Sequence, residues 1–379
     1  MKTDLMESRR GDEFPLDNKL CYLNHAAVSP WPMRCVTAVE NFARENATQG
    51  SRHYSRWVAS EDRLREQLRQ LINAPSVDEI ALLKNTSEAL SVVAFGLSWL
   101  TGDNIVSLAG EFPSNRIVWQ ALQSKGVELR LAKISDDPEA ALFALVDEHT
   151  RLISVSSVQY ASGLRLDLAR ISAFCKQRDI LFCVDAIQSL GALQFDVQAI
   201  QADFVMADGH KWMLGPEGLA LFYCREELLN ELTLHQYGWH MTDTFTDFDN
   251  QNWKPVHSAR RFECGSPNML GIHALSASLS LLLETGMETV EQHVLHNTRQ
   301  LFSYIEQQET LQLLSDTRQG RDSGIVTFRH RRLDNDTLFK QLTEQGVMCA
   351  QRGGGIRFSP HFYTPQEKIL RAVEMAAQA

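Results

Sequence analysis

A primary amine and a carboxylate, each at the end of its own apolar run, are the residues through which this sequence offers chemistry. Lys211 stands in Ala207-Asp208-Gly209-His210-Lys211-Trp212-Met213-Leu214-Gly215-Pro216, between the apolar run 202–207 and a glycine-rich turn. Asp185 closes a second apolar run, 180–184, lying 26 residues upstream of the lysine. That separation suits one strand–helix–strand crossover. Both side chains then fall at the same edge of a sheet, where ligands of α/β proteins bind. An ε-amine condenses with an aldehyde to form a Schiff base. A carboxylate pairs with a pyridinium nitrogen and keeps it protonated. Together they are what pyridoxal phosphate (PLP) asks of a protein. Taken singly, each has an ordinary reading: Lys211 as a surface lysine in a turn, Asp185 as a helix cap.

Periodicity supplies the elements that would position this pair. Leu64, Leu68 and Leu71 predict a helix over 60–71. Thr86-Ser87-Glu88 precedes an apolar-periodic run, as at a helix N-terminus. Residues 104–108, 152–158, 180–184, 203–207 and 219–224 read as strands, and 115–124 and 167–178 as helices. The alternation implies a mostly parallel sheet covered on both faces, an α/β fold. Residues 235–256, rich in Trp, Asp, Asn, Thr and His, read as a long irregular segment, and such segments are often functional. Beyond it, 270–283, 290–307, 333–345 and 366–377 read as helices, and 323–329 and 356–359 as strands. The expected organisation is an N-terminal segment, 1–30, packed near the active site and the small domain. A large α/β domain over 31–259 and a smaller α+β domain over 260–379 follow.

Composition narrows the partners. The 379 residues are 44% hydrophobic and 22% charged, enough for two domains and a large core. The net charge of −10 argues against nucleic acid, which calls for basic clusters. Seven cysteines, an odd number with no Cys-x-x-Cys pair, argue against a disulfide framework and structural zinc; the cytoplasm is the expected location. The first ten residues carry no apolar signal core, and the nearest approach to a spanning run, 89–100, is short, so no membrane is expected. His235, His240, Asp243 and Asp247 are metal-ligand types, but their segment does not read as a helix, and no metal is expected. Trp239 and His240 are expected to line a substrate pocket instead.

Seven segments then occur in a fixed order: Tyr22-Leu23-Asn24-His25-Ala26-Ala27, Asn85-Thr86-Ser87-Glu88-Ala89, Glu111-Phe112-Pro113-Ser114-Asn115, Val184-Asp185-Ala186-Ile187-Gln188-Ser189, Asp208-Gly209-His210-Lys211-Trp212, Phe262-Glu263-Cys264-Gly265-Ser266-Pro267-Asn268 and Arg352-Gly353-Gly354-Gly355-Ile356-Arg357-Phe358-Ser359-Pro360-His361-Phe362-Tyr363. As a set they resemble the class V aminotransferases of PLP fold type I. That group includes cysteine desulfurases, isopenicillin-N-epimerase-like proteins and, more distantly, kynureninases; the epimerase-like branch is the nearest in motif. The resemblance implies a mostly parallel sheet of the seven-stranded type between helices, a smaller α+β C-terminal domain, PLP as cofactor, and a homodimer with a shared active site.

The resemblance also implies roles. Lys211 joins the cofactor and, once freed, shuttles the Cα proton. Asp185 is the pyridinium partner. Gln188 contacts the cofactor 3′-oxygen, with an ordinary helix glutamine as an equal competitor. Thr86 and Ser87 offer backbone N–H groups to the phosphate at a helix start, and His210 contacts it as well. Phe112 stacks on the ring where desulfurases carry histidine. Ser266 supplies a hydroxyl to the neighbouring subunit's site. Arg357 clamps the substrate α-carboxylate through two parallel hydrogen bonds. Arg352 binds a distal acidic group or only shapes its loop, and His25 with Ala26 caps the pocket.

Two positions depart from the desulfurase pattern. Asp208 stands where those relatives tend to carry Ser, and a carboxylate beside a phosphate dianion repels it, so Asp208 is expected to point away or to bond the turn's backbone. The loop after Arg352 is Gly353-Gly354-Gly355, and Cys349 lies before the arginine, so the usual persulfide-forming cysteine is missing. The expected function is a PLP-dependent enzyme acting at Cα of an amino acid, with transamination first. C–S or C–C lyase chemistry and epimerisation are the alternatives. A non-catalytic amine sensor on the same fold is the non-enzyme alternative. A nucleotide-binding oxidoreductase is disfavoured, because no Gly-x-Gly-x-x-Gly follows the first strand.

Overall fold

Strands buried on both faces read as uninterrupted apolar runs, because helices cover both sides of a parallel sheet. The computed structural model, which describes residues 11–379, bears this out. In chain order the first strands are β1 (Cys21–Tyr22), β2 (Ile80–Leu83), β3 (Asn104–Leu108), β4 (Glu128–Ala132), β5 (Thr150–Ser156), β6 (Leu181–Asp185), β7 (Phe204–Asp208) and β8 (Ala220–Cys224). Seven of them form one sheet in the order β2-β8-β7-β6-β5-β3-β4. Only β8 runs against its neighbours; the other pairings are parallel. Alternate residues feed two cores. Val106, Ile153, Val184 and Val205 join Leu64, Leu68 and Leu275 on one face. Ile105, Leu152, Phe204 and Phe222 join Leu90 and Val93 on the other. The architecture is the one the resemblance implies: a large, mostly parallel sheet between helices, with a smaller α+β unit.

The smaller unit holds β9 (Leu311–Leu313), β10 (Val326–His330), β11 (Val347–Met348), β12 (Ala350–Arg352) and β13 (Gly355–Phe358). Its antiparallel sheet runs β12-β13-β10-β9, and β1 pairs in parallel with β11. The N-terminal segment is therefore stitched into this unit, and Asn24 bridges to Ser359. Residues 1–10 of the segment expected to pack here lie outside the described residues.

The hand-over between the units does not fall at residue 260. Helix Met269–Thr285 is apolar nearly all round, and such a helix must be buried on every side. It packs on helices Met33–Gln49 and Tyr54–Ile72, and its Ile272, Leu275 and Leu279 belong to the large sheet's core. Helix Met287–Glu306 makes the transition. Val290 and Val294 sit in the large core; Leu301, Phe302 and Ile305 sit in the small one. Among the described residues no single helix is long and apolar enough to cross a membrane.

The turn after β7 is fixed from below. A Cβ at Gly215 would lie 2.5 Å from Leu275 Cδ1, so glycine lets the turn rest on that helix without displacing the leucine side chain. Gly191, at φ +95°, passes so close beneath Trp212 that a Cβ there would lie 2.2 Å from the Trp212 carbonyl oxygen. Between these supports Leu214 takes a left-handed φ of 61°, a conformation that persists in a non-glycine residue only where the surroundings impose it.

Candidate active site

β6 and β7 lie side by side and parallel, with Asp185 opposite Met206. Asp185 ends β6, and Lys211 follows three residues after Asp208 ends β7. Both side chains line one cavity of about 280 Å³, near the lower end of the usual size for small-molecule sites. Burial lowers the Lys211 amine to about 8, against the pull of Asp185 in the other direction. Burial raises the Asp185 carboxyl to about 6, opposed by the Ile187 N–H and by Lys211. Asp185 Oδ1 accepts the Ile187 N–H at 3.0 Å. A cationic ring against this carboxylate would reverse the direction of its shift.

Helix Thr86–Gly96 points its start at the same cavity. Asn85 Oδ1 caps it by accepting the Glu88 N–H at 2.9 Å. The Thr86 and Ser87 N–H groups have no acceptor within the described chain, which suits them to an anion. Thr86 Oγ1 accepts the Asp208 N–H at 3.1 Å and so ties the helix start to the end of β7. Ser87 Oγ donates to Ser114 Oγ at 2.8 Å.

Asp208 does not point away. It lines the cavity, with its Oδ1 2.9 Å from His210 Nδ1, close enough for an ion pair but too poorly aligned for a hydrogen bond. An imidazolium there would offset the carboxylate's repulsion of a phosphate. Nor does the Asp208 side chain bond the turn's backbone as expected; the Asp208 N–H goes to Thr86 Oγ1 on the neighbouring helix start.

Phe112, 40% exposed, presents its ring 5.6 Å from Lys211 Nζ and meets Tyr160 edge-on. Gln188 reaches the wall with its amide largely committed. Its Nε2 donates to Ala26 O at 3.1 Å and its Oε1 accepts from Trp212 Nε1 at 2.9 Å, leaving one N–H for a further acceptor.

Arg357, on β13, enters the cavity from the small unit and is 3% exposed. It donates to Tyr160 O at 2.7 Å and to Asn24 Oδ1 at 3.4 Å, while its Nε is buried without a partner. Among the described residues no carboxylate pairs with it. A buried guanidinium without a counter-charge is costly, and a substrate carboxylate would supply one. Burial, reinforced by the charge of Arg352, lowers it to about 10. Arg352 itself is exposed at the cavity, and among the described residues its side chain bonds only the Gln351 carbonyl. Replacing Arg357 with lysine, which keeps the charge but loses the planar fork, is expected to raise KM for the amino acid roughly 10- to 100-fold with cofactor content unchanged. Steady-state kinetics beside cofactor absorbance check this.

The expectations for His25, Trp239 and His240 need correction. His25 is fully buried and does not line the cavity. Its ring nitrogens lie 2.9 Å from Ser359 O and 2.7 Å from the Tyr363 hydroxyl. It therefore anchors the N-terminal segment, while Ala26, Ala27 and Val28 form the wall. Trp239 lines a separate cavity of about 380 Å³ with Tyr237, Phe248 and Trp253. His240 is buried 3.8 Å from Glu61 and 3.7 Å from Glu263, whose carboxylates Arg65 already holds at 2.7 and 2.6 Å. Glu61, His240 and Glu263 form the one cluster of metal-ligand types among the described residues, and the Arg65 cation stands beside its carboxylates. Ser266 is exposed and lies off this cavity within its own chain.

Sequence reasoning missed Tyr160, Ile187 and Glu217 at the wall, none of which carries a local signal, and Asn85, readable as an N-cap. A larger cleft, about 600 Å³, is bordered by Arg165 and Arg321; it holds no lysine, and both arginines are paired, to Glu291 and Glu139.

The donor set fits pyridoxal phosphate: an amine and a carboxylate facing one cavity, unpaired N–H groups for a dianion, and an aromatic face beside the amine. Comparison with known proteins agrees. The profile of the family described as Aminotransferase class-V matches residues 21–371. A probable cysteine desulfurase of Methanothermobacter thermautotrophicus is 31% identical over 382 residues, covering 94% of each chain. The structure of the cysteine desulfurase CsdA from Escherichia coli superposes with a TM-score of 0.87 at 22% identity, covering 98% of each chain. That of the cystine C-S lyase C-DES with its reaction product cysteine persulfide gives 0.86 at 22% identity, over 95% of this chain and 98% of that one. At such identity the two structures speak for the fold alone.

Proposed function

Because the chain belongs to the class V aminotransferase family, an enzyme family whose cofactor is pyridoxal phosphate, we propose that it cleaves the Cβ–S bond of a cysteine-type amino acid and releases the sulfur to solution. Bound pyridoxal phosphate supplies a sink for the electron pair left when a bond at Cα breaks. The chain's own residues do the rest. Arg357 holds the α-carboxylate and so fixes which Cα bond is turned toward Lys211. Near neutral pH the Lys211 amine, lowered to about 8, is neutral in part of the molecules, and neutral amine is the form that accepts the Cα proton. Asp185 keeps negative charge where the ring nitrogen binds. Water then converts what remains of L-cysteine to pyruvate and ammonia, with sulfide as the third product.

One observation separates this reading from desulfuration through a protein thiol: none of the seven cysteines lines the cavity. Cys349, nearest in sequence to Arg352, is buried with its thiol pushed up to about 12, so it is not a nucleophilic thiolate at neutral pH. The names of the relatives support sulfur chemistry over the transamination expected first from the sequence.

The test is product analysis of the holoenzyme with L-cysteine and with L-cystine. Pyruvate and ammonia in equal amounts, with sulfide or cysteine persulfide, are expected. Alanine as the main product would mean desulfuration. Amino-group transfer to an added keto acid, without sulfur release, would mean transamination. Either result overturns the proposal.

A further inference from the structure

Glu111 is a buried acid with no part in the chemistry above. It lies three residues past β3, directly before Phe112, and is 7% exposed. One carboxyl oxygen accepts the Ser156 N–H at 2.7 Å, and the other accepts the hydroxyl of the same serine. Ser156 ends β5 in register with Asp185. One residue earlier, the Gly110 carbonyl accepts from Gln159 Nε2 at 2.6 Å. The loop is thus held at two successive residues, to the end of β5 and to the segment just beyond it, and Phe112 projects from it beside Lys211.

Merely holding a loop in place would not call for a polar side chain here. The groups facing Glu111 are Ser156 on β5, Asp185 and Cys183 on β6, and Asn115 on the following helix; none is a cation. Burial pushes its carboxyl up to about 7, the Ser156 bonds pull it back, and Asp185 adds to the rise. Placing a second acid beside Asp185 is unfavourable, and a well-packed apolar residue would hold a loop as well. What an apolar residue cannot do is grip both the N–H and the O–H of one serine and so fix the loop's direction.

We propose that Glu111 is a positioning residue: by clamping its loop to Ser156 it aims the Phe112 ring over the cofactor held by Lys211 and Asp185. The inference rests on the stacking role of Phe112 and is independent of the C–S lyase reading, since it concerns how the cofactor is held and not which bond breaks.

The test is a double-mutant cycle on the holoenzyme, read by the rate of cofactor release and by the visible circular dichroism per bound cofactor. Glu111→Ala and Phe112→Ala should each speed release about tenfold and reduce the dichroism. The double variant should match Phe112→Ala within about twofold, because the glutamate acts through the ring. Glu111→Gln keeps a carbonyl for the Ser156 N–H and an N–H for its hydroxyl, and should stay within about threefold of the parent. An unchanged Glu111→Ala, or effects that multiply in the double variant, overturns the inference. An unchanged Phe112→Ala overturns it through its premise, with the product assay unaffected. Should Glu111→Ala fail to fold, Ser156→Ala removes the hydroxyl end of the clamp and enters the same cycle with the same expected outcome.

Discussion

Lys211→Ala is expected to remove the visible absorption band of the purified protein and to lower turnover by roughly 10²- to 10⁴-fold. Among the described residues the lysine is the only amine lining the cavity, so none of them can take its place. Its burial suits both of its tasks. A less solvated amine is less basic, hence more often neutral, and only a neutral amine attacks an aldehyde or accepts a proton. The backbone around it is pinned by Leu275, by Trp212 over Gly191 and by the strained Leu214, so the variant should retain its fold. An unchanged band would show that another group binds the cofactor, and the assignment of Lys211 would be lost.

Asp185→Asn should retain cofactor and lose turnover by roughly 10²- to 10³-fold. The amide is the same shape and can still accept the Ile187 N–H through its oxygen. What disappears is the charge. In a buried site an amide cannot hold a proton on a ring nitrogen, and without that proton the electron sink is shallow. Cofactor content by absorbance, beside initial rates, separates the two effects. Full activity would exclude Asp185 from the mechanism, whereas loss of the cofactor itself would make the residue a binding group only.

Much of this site was legible in the sequence. Asp185 ends one strand and Lys211 follows closely after another, and both strands read as apolar runs because helices cover the sheet on both faces. The start of helix Thr86–Gly96 was legible through Thr86, Ser87 and Glu88. β4 was not, because it is an edge strand carrying Glu128 and Arg130, and its pattern lacks the apolar run. Helix Met33–Gln49 was missed because Cys35 is its sole fully buried residue. The boundary at 260 failed because chain order suggested a new domain where packing had not yet left the first one. The Asp208 side chain was misplaced because its charge was weighed alone, whereas the fold brings His210 Nδ1 to 2.9 Å from it. His25 was misread because a histidine near a site reads as polar, whereas this one is closed in by Ser359 and Tyr363.

Helix Met287–Glu306 has one end rooted in each core, Arg357 reaches across to the Tyr160 carbonyl, and His361 Nε2 lies 3.0 Å from the Trp212 carbonyl oxygen. A clamshell motion of the halves would have to bend that rod and break those links. The geometry between the anion-gripping guanidinium and the reactive amine is therefore set during folding, before any guest arrives. Discrimination among guests then falls to the fixed outline of the entrance, and little of their binding energy is diverted into shutting a door.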